Sequence, residues 1–231
     1  MSKALKLLLD EETTAIWDFV NSKCKVKLVS DYNYSVNIIE REIKTNLATI
    51  WYNQFNLRPD YFAHELLHVK INCEGYIVSK LIDKLFWNFP VVAQTWDRPF
   101  RNLVGNIVDH EKMFLEYLEL GFEKDEFVGD FYERKCTATE INIEMNFCSH
   151  PSIHSYKYIT AKFFLIKGTL DSSINYDEEL KLFSRLAPKL YESLDMFWNS
   201  LLSIRKPYEK EIQEKVVTNL LANLEEIYMQ L

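Results

Sequence analysis

Two histidines four residues apart bracket a glutamate in the run Tyr61-Phe62-Ala63-His64-Glu65-Leu66-Leu67-His68-Val69. On a helix that spacing sends both imidazoles from one face, about 6 Å apart along the axis, where they can converge on one metal ion. Glu65, beside the first histidine, then reaches a water on that ion. Two neutral imidazoles and a third protein ligand leave one coordination position open, and a water held there has its pKa brought towards neutrality. A neighbouring carboxylate can take the water's proton during attack on a carbonyl and pass it to the leaving group. The chemistry expected of this set is metal-assisted hydrolysis. Phe62, Ala63, Leu66, Leu67 and Val69 are uncharged, as befits a helix packed into a core.

These residues form the HExxH pattern, and over residues 45 to 120 the sequence resembles the zincin family of zinc metallopeptidases, in a branch of uncharacterised bacterial HExxH proteins. The resemblance implies Zn²⁺ on His64 and His68, Glu65 as general base, and a peptide or protein substrate; hydrolysis of another amide is the alternative. One flank departs from the family, with Lys70 where a hydrophobic residue is usual. The glycine-centred extension of metzincins is also absent, since Ile71 stands at the turning glycine and Glu74 at the last ligand. Without that turn the helix continues and Glu74 points away from both histidines. A third ligand is therefore expected from a later helix, as in the thermolysin-like branch.

Asn106-Ile107-Val108-Asp109-His110-Glu111 concentrates three metal-competent side chains within one turn. On a helical wheel Glu111 falls in the middle of an apolar stripe with Ile107, Phe114 and Leu118. His110 lies at its edge and Asp109 points to the opposite side. Asn106-x-x-Asp109-His110 also resembles an acid-plus-histidine pattern of uncharacterised bacterial HExxH proteins, and that resemblance makes His110 the favoured third ligand, with Asn106 or the neighbouring acid behind it to orient the ring; Glu111 and Asp109 are the alternatives.

Holding such a set in register takes a rigid frame. The chain has 231 residues, 48% of them hydrophobic and 14% aromatic, with only five glycines, which favours long helices over a many-turned β architecture. The fold class expected is α+β: a mostly helical, zincin-like domain with a small N-terminal antiparallel or mixed sheet. A single domain over residues 1–231 is expected, with 175–231 as a helical C-terminal extension. Residues 3 to 22 read as one helix or two short ones. Strand-like runs follow at Lys25 to Ser30, Val36 to Ile43 and Leu47 to Asn53, the last two joined by a hairpin turn at Lys44-Thr45-Asn46. In zincins the strand before the metal-binding helix commonly edges the cleft and pairs with substrate. Ala48 to Tyr52 occupies that place, an ordinary interior strand being the alternative.

Pro59 opens the motif helix and Gly75 closes it. Beyond it come a helix from Tyr76 to Phe89, a loop from Val91 to Arg98 and a long helix from Asp97 and Pro99 to Gly121. Helical character is then expected over Lys124 to Lys135, Thr137 to Phe147, Ser152 to Ile166, Glu178 to Arg205 with a break at Pro188, and Tyr208 to Leu231. The last carries a stripe of Ile212, Val216, Leu220, Leu224, Ile227 and Leu231.

A net charge of −7 without a basic patch argues against nucleic acid as a partner, and no stretch approaches the length of a membrane span. The amino terminus lacks the apolar core of a secretory signal. Cys24, Cys73, Cys136 and Cys148 show no CxxC spacing and read as free thiols of a cytoplasmic protein, the even count leaving a disulfide pair as the alternative. His150 and His154 are also four apart but lack a carboxylate between them. His154, Tyr156 and Tyr158 are candidates to steady an oxyanion. A second reading is a non-catalytic, metal-binding interaction or regulatory protein on the same scaffold.

Overall fold

A computed structural model describes residues 3–30, 39–42, 47–53, 55–146, 152–170 and 173–231; side chains are described for these except at 3, 4, 39–42 and 146. The chain opens with α1 (Lys3–Leu8), α2 (Glu11–Lys23), β1 (Lys25–Ser30), β2 (Ile39–Glu42), β3 (Leu47–Tyr52) and α3 (Pro59–Cys73). It continues through α4 (Val78–Leu85), α5 (Pro90–Thr95), α6 (Arg98–Glu119), α7 (Lys124–Phe127) and α8 (Ala138–Asn146). The last elements are α9 (Ile153–Lys167), α10 (Asp177–Leu186), α11 (Pro188–Ser203) and α12 (Lys210–Tyr228). The fold is mostly helical α+β with a small N-terminal sheet. None of the described helices is long and apolar enough to cross a membrane.

Two compact units are distinguishable, residues 1–76 with 112–131 and residues 77–111 with 132–231. In the first, β3 lies between β1, which it pairs in parallel from Lys25↔Leu47 to Ser30↔Tyr52, and β2, which it pairs antiparallel from Ile39↔Ile50 to Glu42↔Leu47. The sheet is therefore mixed. β3 is an interior strand over Leu47–Ile50, with both sides taken, so the cleft-edge role is not the one these residues have. The expected turn at Lys44 to Asn46 lies outside the described residues.

Asp10 separates the first two helices by accepting a hydrogen bond from the Thr13 N–H at 2.7 Å, which caps α2. α2 packs on α3 through Trp17 and Phe62, ring centroids 6.0 Å apart. Pro59 starts α3 where its missing N–H costs nothing. The helix ends as Gly75 takes φ 98°, letting the Tyr76 N–H reach back to the Ile71 carbonyl at 2.9 Å. Phe62, Ala63, Leu66, Leu67, Val69 and Ile71 are buried along it, each large side chain stabilising the packed helix by about 1.5–3 kcal/mol.

In the second unit polar groups, as well as apolar ones, fix the helices. Glu225 of α12 accepts hydrogen bonds from the Val91 and Val92 N–H groups at 3.0 and 2.9 Å, so the segment expected as a loop after Pro90 is the short helix α5. Buried Gln213 accepts from the Ile77 N–H at 2.7 Å at the start of α4. Tyr228 meets Trp96 and Thr160 in the core. The buried face of α12 is accordingly Gln213, Val217, Leu220, Leu221, Leu224 and Tyr228, rotated from the expected stripe, and Ile212 and Leu231 are exposed. Counting only apolar residues hid two polar members of that face. Helix also stops earlier than expected after Lys124, because Val128 is extended (φ −139°, ψ 132°) and turns precede Cys136.

α6 changes its buried face along its length. Its first half buries Val104, Gly105, Ile107, Val108 and Asp109, and its second half buries Met113 and Tyr117. At 100° per residue these two sets lie on nearly opposite sides. The stripe read from the sequence therefore holds only in the first half, where Ile107 is buried with Phe100 and Val104 on the same side, while Phe114, Leu118 and Glu111 are only half-buried.

Candidate metal centre

α3 carries His64 and His68 one turn apart, and their rings stand 5.1 Å centroid to centroid. α6 carries His110 on the side that its second half buries, with Phe114 and Tyr117 one and two turns further along. One ligand-capable nitrogen from each of His64, His68 and His110 lies within 4.8 Å of the other two. Nitrogens on a tetrahedral zinc are about 3.4 Å apart. Of the three candidates on α6, His110 joins this cluster. Asp109, expected on the far side of a stripe, is instead buried and accepts a hydrogen bond from the Ser79 hydroxyl at 3.0 Å. Glu111 is half-buried outside the cluster, and Asn106, proposed as an orienting group, is exposed.

The electrostatics favour a neutral His64. Burial, then the neighbouring His68, lowers the His64 pKa to about 3 despite a hydrogen bond to the Phe127 backbone carbonyl. That carbonyl engages one ring N–H of His64 and leaves the other nitrogen as the lone-pair donor, the arrangement a metal ligand needs. Burial raises the Glu65 carboxyl to about 7, with His68 working in the opposite direction. A carboxyl held near neutrality suits a group that must both take and give a proton.

Aromatic rings from α6 and α7 pack beside His64. Phe127 lies 4.7 Å from the His64 ring and Tyr117 meets it edge-on at 6.3 Å. Phe114 meets Phe127 at a tilt with centroids 5.1 Å apart, Tyr117 meets it edge-on at 4.9 Å, and Phe131 backs Phe114 at 5.9 Å. Such a wall keeps the local dielectric low and strengthens every charge inside it. The Tyr117 hydroxyl is buried with no hydrogen-bond partner among the described residues, and burial, with Asp60 and Glu126 adding, raises its pKa. Tyr117 and the Phe127 carbonyl were not singled out from the sequence. The signal for Tyr117 was its place seven residues after His110, on the same helix face.

Lys70, the irregular flank, is accommodated. Its ammonium bonds Glu74 at 2.7 Å and Glu116 at 2.9 Å. Burial works against the charge, but these two carboxylates more than offset it and hold the lysine above its ordinary range. Glu74 is thereby committed to Lys70. Asp60, one turn before His64 on the same face, is buried and held by the Arg58 guanidinium at 2.9 and 2.5 Å. His154 is exposed on α9, outside the histidine cluster, with Tyr156 and Tyr158 on the same helix. His150 lies outside the described residues.

No family model, curated protein or solved structure matches this chain. What the centre can do rests on its own residues.

The two shifted groups give the metal-free chain a pH signature. Glu65 has a folded value of about 7 against an ordinary 4.5, so between those pH values only the folded state holds the proton and its contribution to stability falls as pH rises. His64, at about 3 against 6.5, is protonated only in the unfolded chain over that window, so its contribution rises with pH. From pH 4.5 to 6.5 the two oppose each other. Glu65→Gln removes the first: denaturant titrations of metal-free protein should show the variant gaining stability more steeply across this range. The stability of the variant relative to the native chain should therefore rise from pH 4.5 to 7 and level off above it. Parallel profiles for the two proteins would contradict this assignment of the shifts.

Proposed function

We propose that this chain is a zinc-dependent hydrolase, acting most simply as a cytoplasmic zincin-like metallopeptidase on peptide or protein substrates. The observation that carries the reading is the convergence of His64, His68 and His110, contributed by two helices, next to the buried carboxyl of Glu65. Three imidazoles are a donor set suited to Zn²⁺, which when bound would supply Lewis acidity and an acidified water. Glu65 takes a proton from the attacking water at its carboxylate and returns it to the leaving nitrogen. The Phe127 carbonyl keeps His64 in one tautomer, and the rings of Tyr117 and Phe127 give that histidine an apolar flank.

Metal analysis after chelator-free purification should find one zinc per chain, and a chelator should abolish hydrolysis of unstructured peptides, with zinc restoring it. A chain that never carries metal at neutral pH would sink the proposal. One observation favours the second reading, a metal-binding interaction or regulatory protein. β3 has both sides occupied over Leu47–Ile50, so it does not offer there the free edge that would pair with an extended substrate. The discriminator is the fourth coordination position, since closure by a fourth protein ligand would argue against catalysis.

A further inference from the structure

Cys24 and Cys73 are 49 positions apart in sequence, yet their sulfurs meet at 3.7 Å. Cys24 is the extended residue joining α2 to β1 (φ −146°, ψ 155°), and Cys73 is the last residue of α3. Both stand at helix ends, where a small backbone adjustment breaks no interior helical hydrogen bond. A disulfide needs the sulfurs at about 2.05 Å, so closure asks for a movement of about 1.7 Å, within reach of rotation about the two Cα–Cβ bonds. The thiols also differ in access, Cys24 being buried and Cys73 half-buried. Attack therefore begins at Cys73 and Cys24 resolves.

We propose that Cys24 and Cys73 are a reversible oxidative modification site, closed by a small-molecule disulfide of the glutathione type, which staples the C-terminal end of α3 to the α2–β1 junction. The Cys73 thiolate, its proton lost to water, attacks one sulfur of the small disulfide; that S–S bond breaks and one thiolate leaves. The Cys24 thiolate, its proton likewise lost to water, then attacks the Cys73 sulfur, forming the Cys24–Cys73 bond and expelling the second small thiolate. Both leaving thiolates pick up a proton. Two electrons pass from the protein dithiol to the small disulfide, which ends as two thiols. Cys136 competes poorly, because burial pushes its thiol up to about 11 and leaves little thiolate.

The closed bond encloses β1, β2, β3 and most of α3 in one loop, so it constrains the unfolded chain strongly. It ties down the end of the helix that bears His64 and His68 without using either.

The experiment incubates the full-length native protein with glutathione disulfide and reads it by mass spectrometry and thermal melting. Expected are a loss of two hydrogens per chain, a cross-linked peptide joining Cys24 to Cys73, and a rise in melting temperature of roughly 5 °C or more that dithiothreitol reverses. Cys24→Ser should instead accumulate a stable glutathione adduct at Cys73, and Cys73→Ser should leave Cys24 unmodified. The proposal is overturned if the native protein keeps both thiols, if it stops at an adduct on Cys73, or if the cross-link involves Cys136 or Cys148. It is also overturned if the melting temperature does not change on cross-linking. These readouts depend on the native chain alone, and hold whether or not a metal is bound.

Discussion

Replacing Glu65 with glutamine is expected to lower peptide hydrolysis by about 10²–10⁴-fold while one zinc per chain stays bound. The amide has nearly the shape of the carboxyl but cannot accept a proton from the attacking water. Its place on α3, between the two histidines in sequence but outside the three-histidine cluster, means that cluster should survive the change. The outcome is read as a loss of kcat with metal content and fold unaltered, measured by metal analysis and circular dichroism on the same sample. The native rate should also show an acid limb, because the general base proposed here must be ionised to act. Burial places its carboxyl at about 7, and a divalent cation beside it would draw the limb lower. A variant that keeps full activity would remove Glu65 from the chemistry, and one that loses zinc as well would point to a structural part.

The second large effect is expected at His110. Loss of an outer-shell partner typically costs 10–100-fold in metal affinity, and loss of a ligand itself should cost more, so His110→Ala is expected to weaken zinc binding by more than about 100-fold. Competition against a fluorescent chelator measures it. Glu111→Gln serves as the control, because Glu111 lies outside the cluster and should change affinity by no more than severalfold. The reverse pattern, with Glu111 needed and His110 dispensable, would reassign the third ligand.

Local features of the chain were legible where one helix contains all the relevant parts. Pro59 and Gly75 mark the two ends of α3 because each acts through its own backbone: proline by its fixed φ and missing N–H, glycine by its freedom to take a positive φ. The pair His64 and His68 shares a face by helical geometry alone. A mostly helical chain with a small sheet follows from few glycines, long helical periodicities and three short strand-like runs, whereas the parallel β1–β3 pairing that makes the sheet mixed does not. Other features were illegible because they depend on what a helix meets. The sequence around Asp109, His110 and Glu111 offers three ligands about 100° apart, and no spacing rule tells which side of α6 looks towards α3. The buried face of α6 also switches between its halves, so averaging over one stripe placed Glu111 at its centre and Asp109 outside.

The residues of HExxH, the limits of their helix and the kind of chemistry they suit were thus set by the sequence itself, through short-range geometry that every helix obeys. The tertiary structure alone decided that His110 completes the cluster, that the Phe127 carbonyl holds His64, that β3 is an interior strand, and that two distant cysteines touch. Each is a meeting of segments far apart along the chain, settled by packing, and packing depends on every neighbour at once.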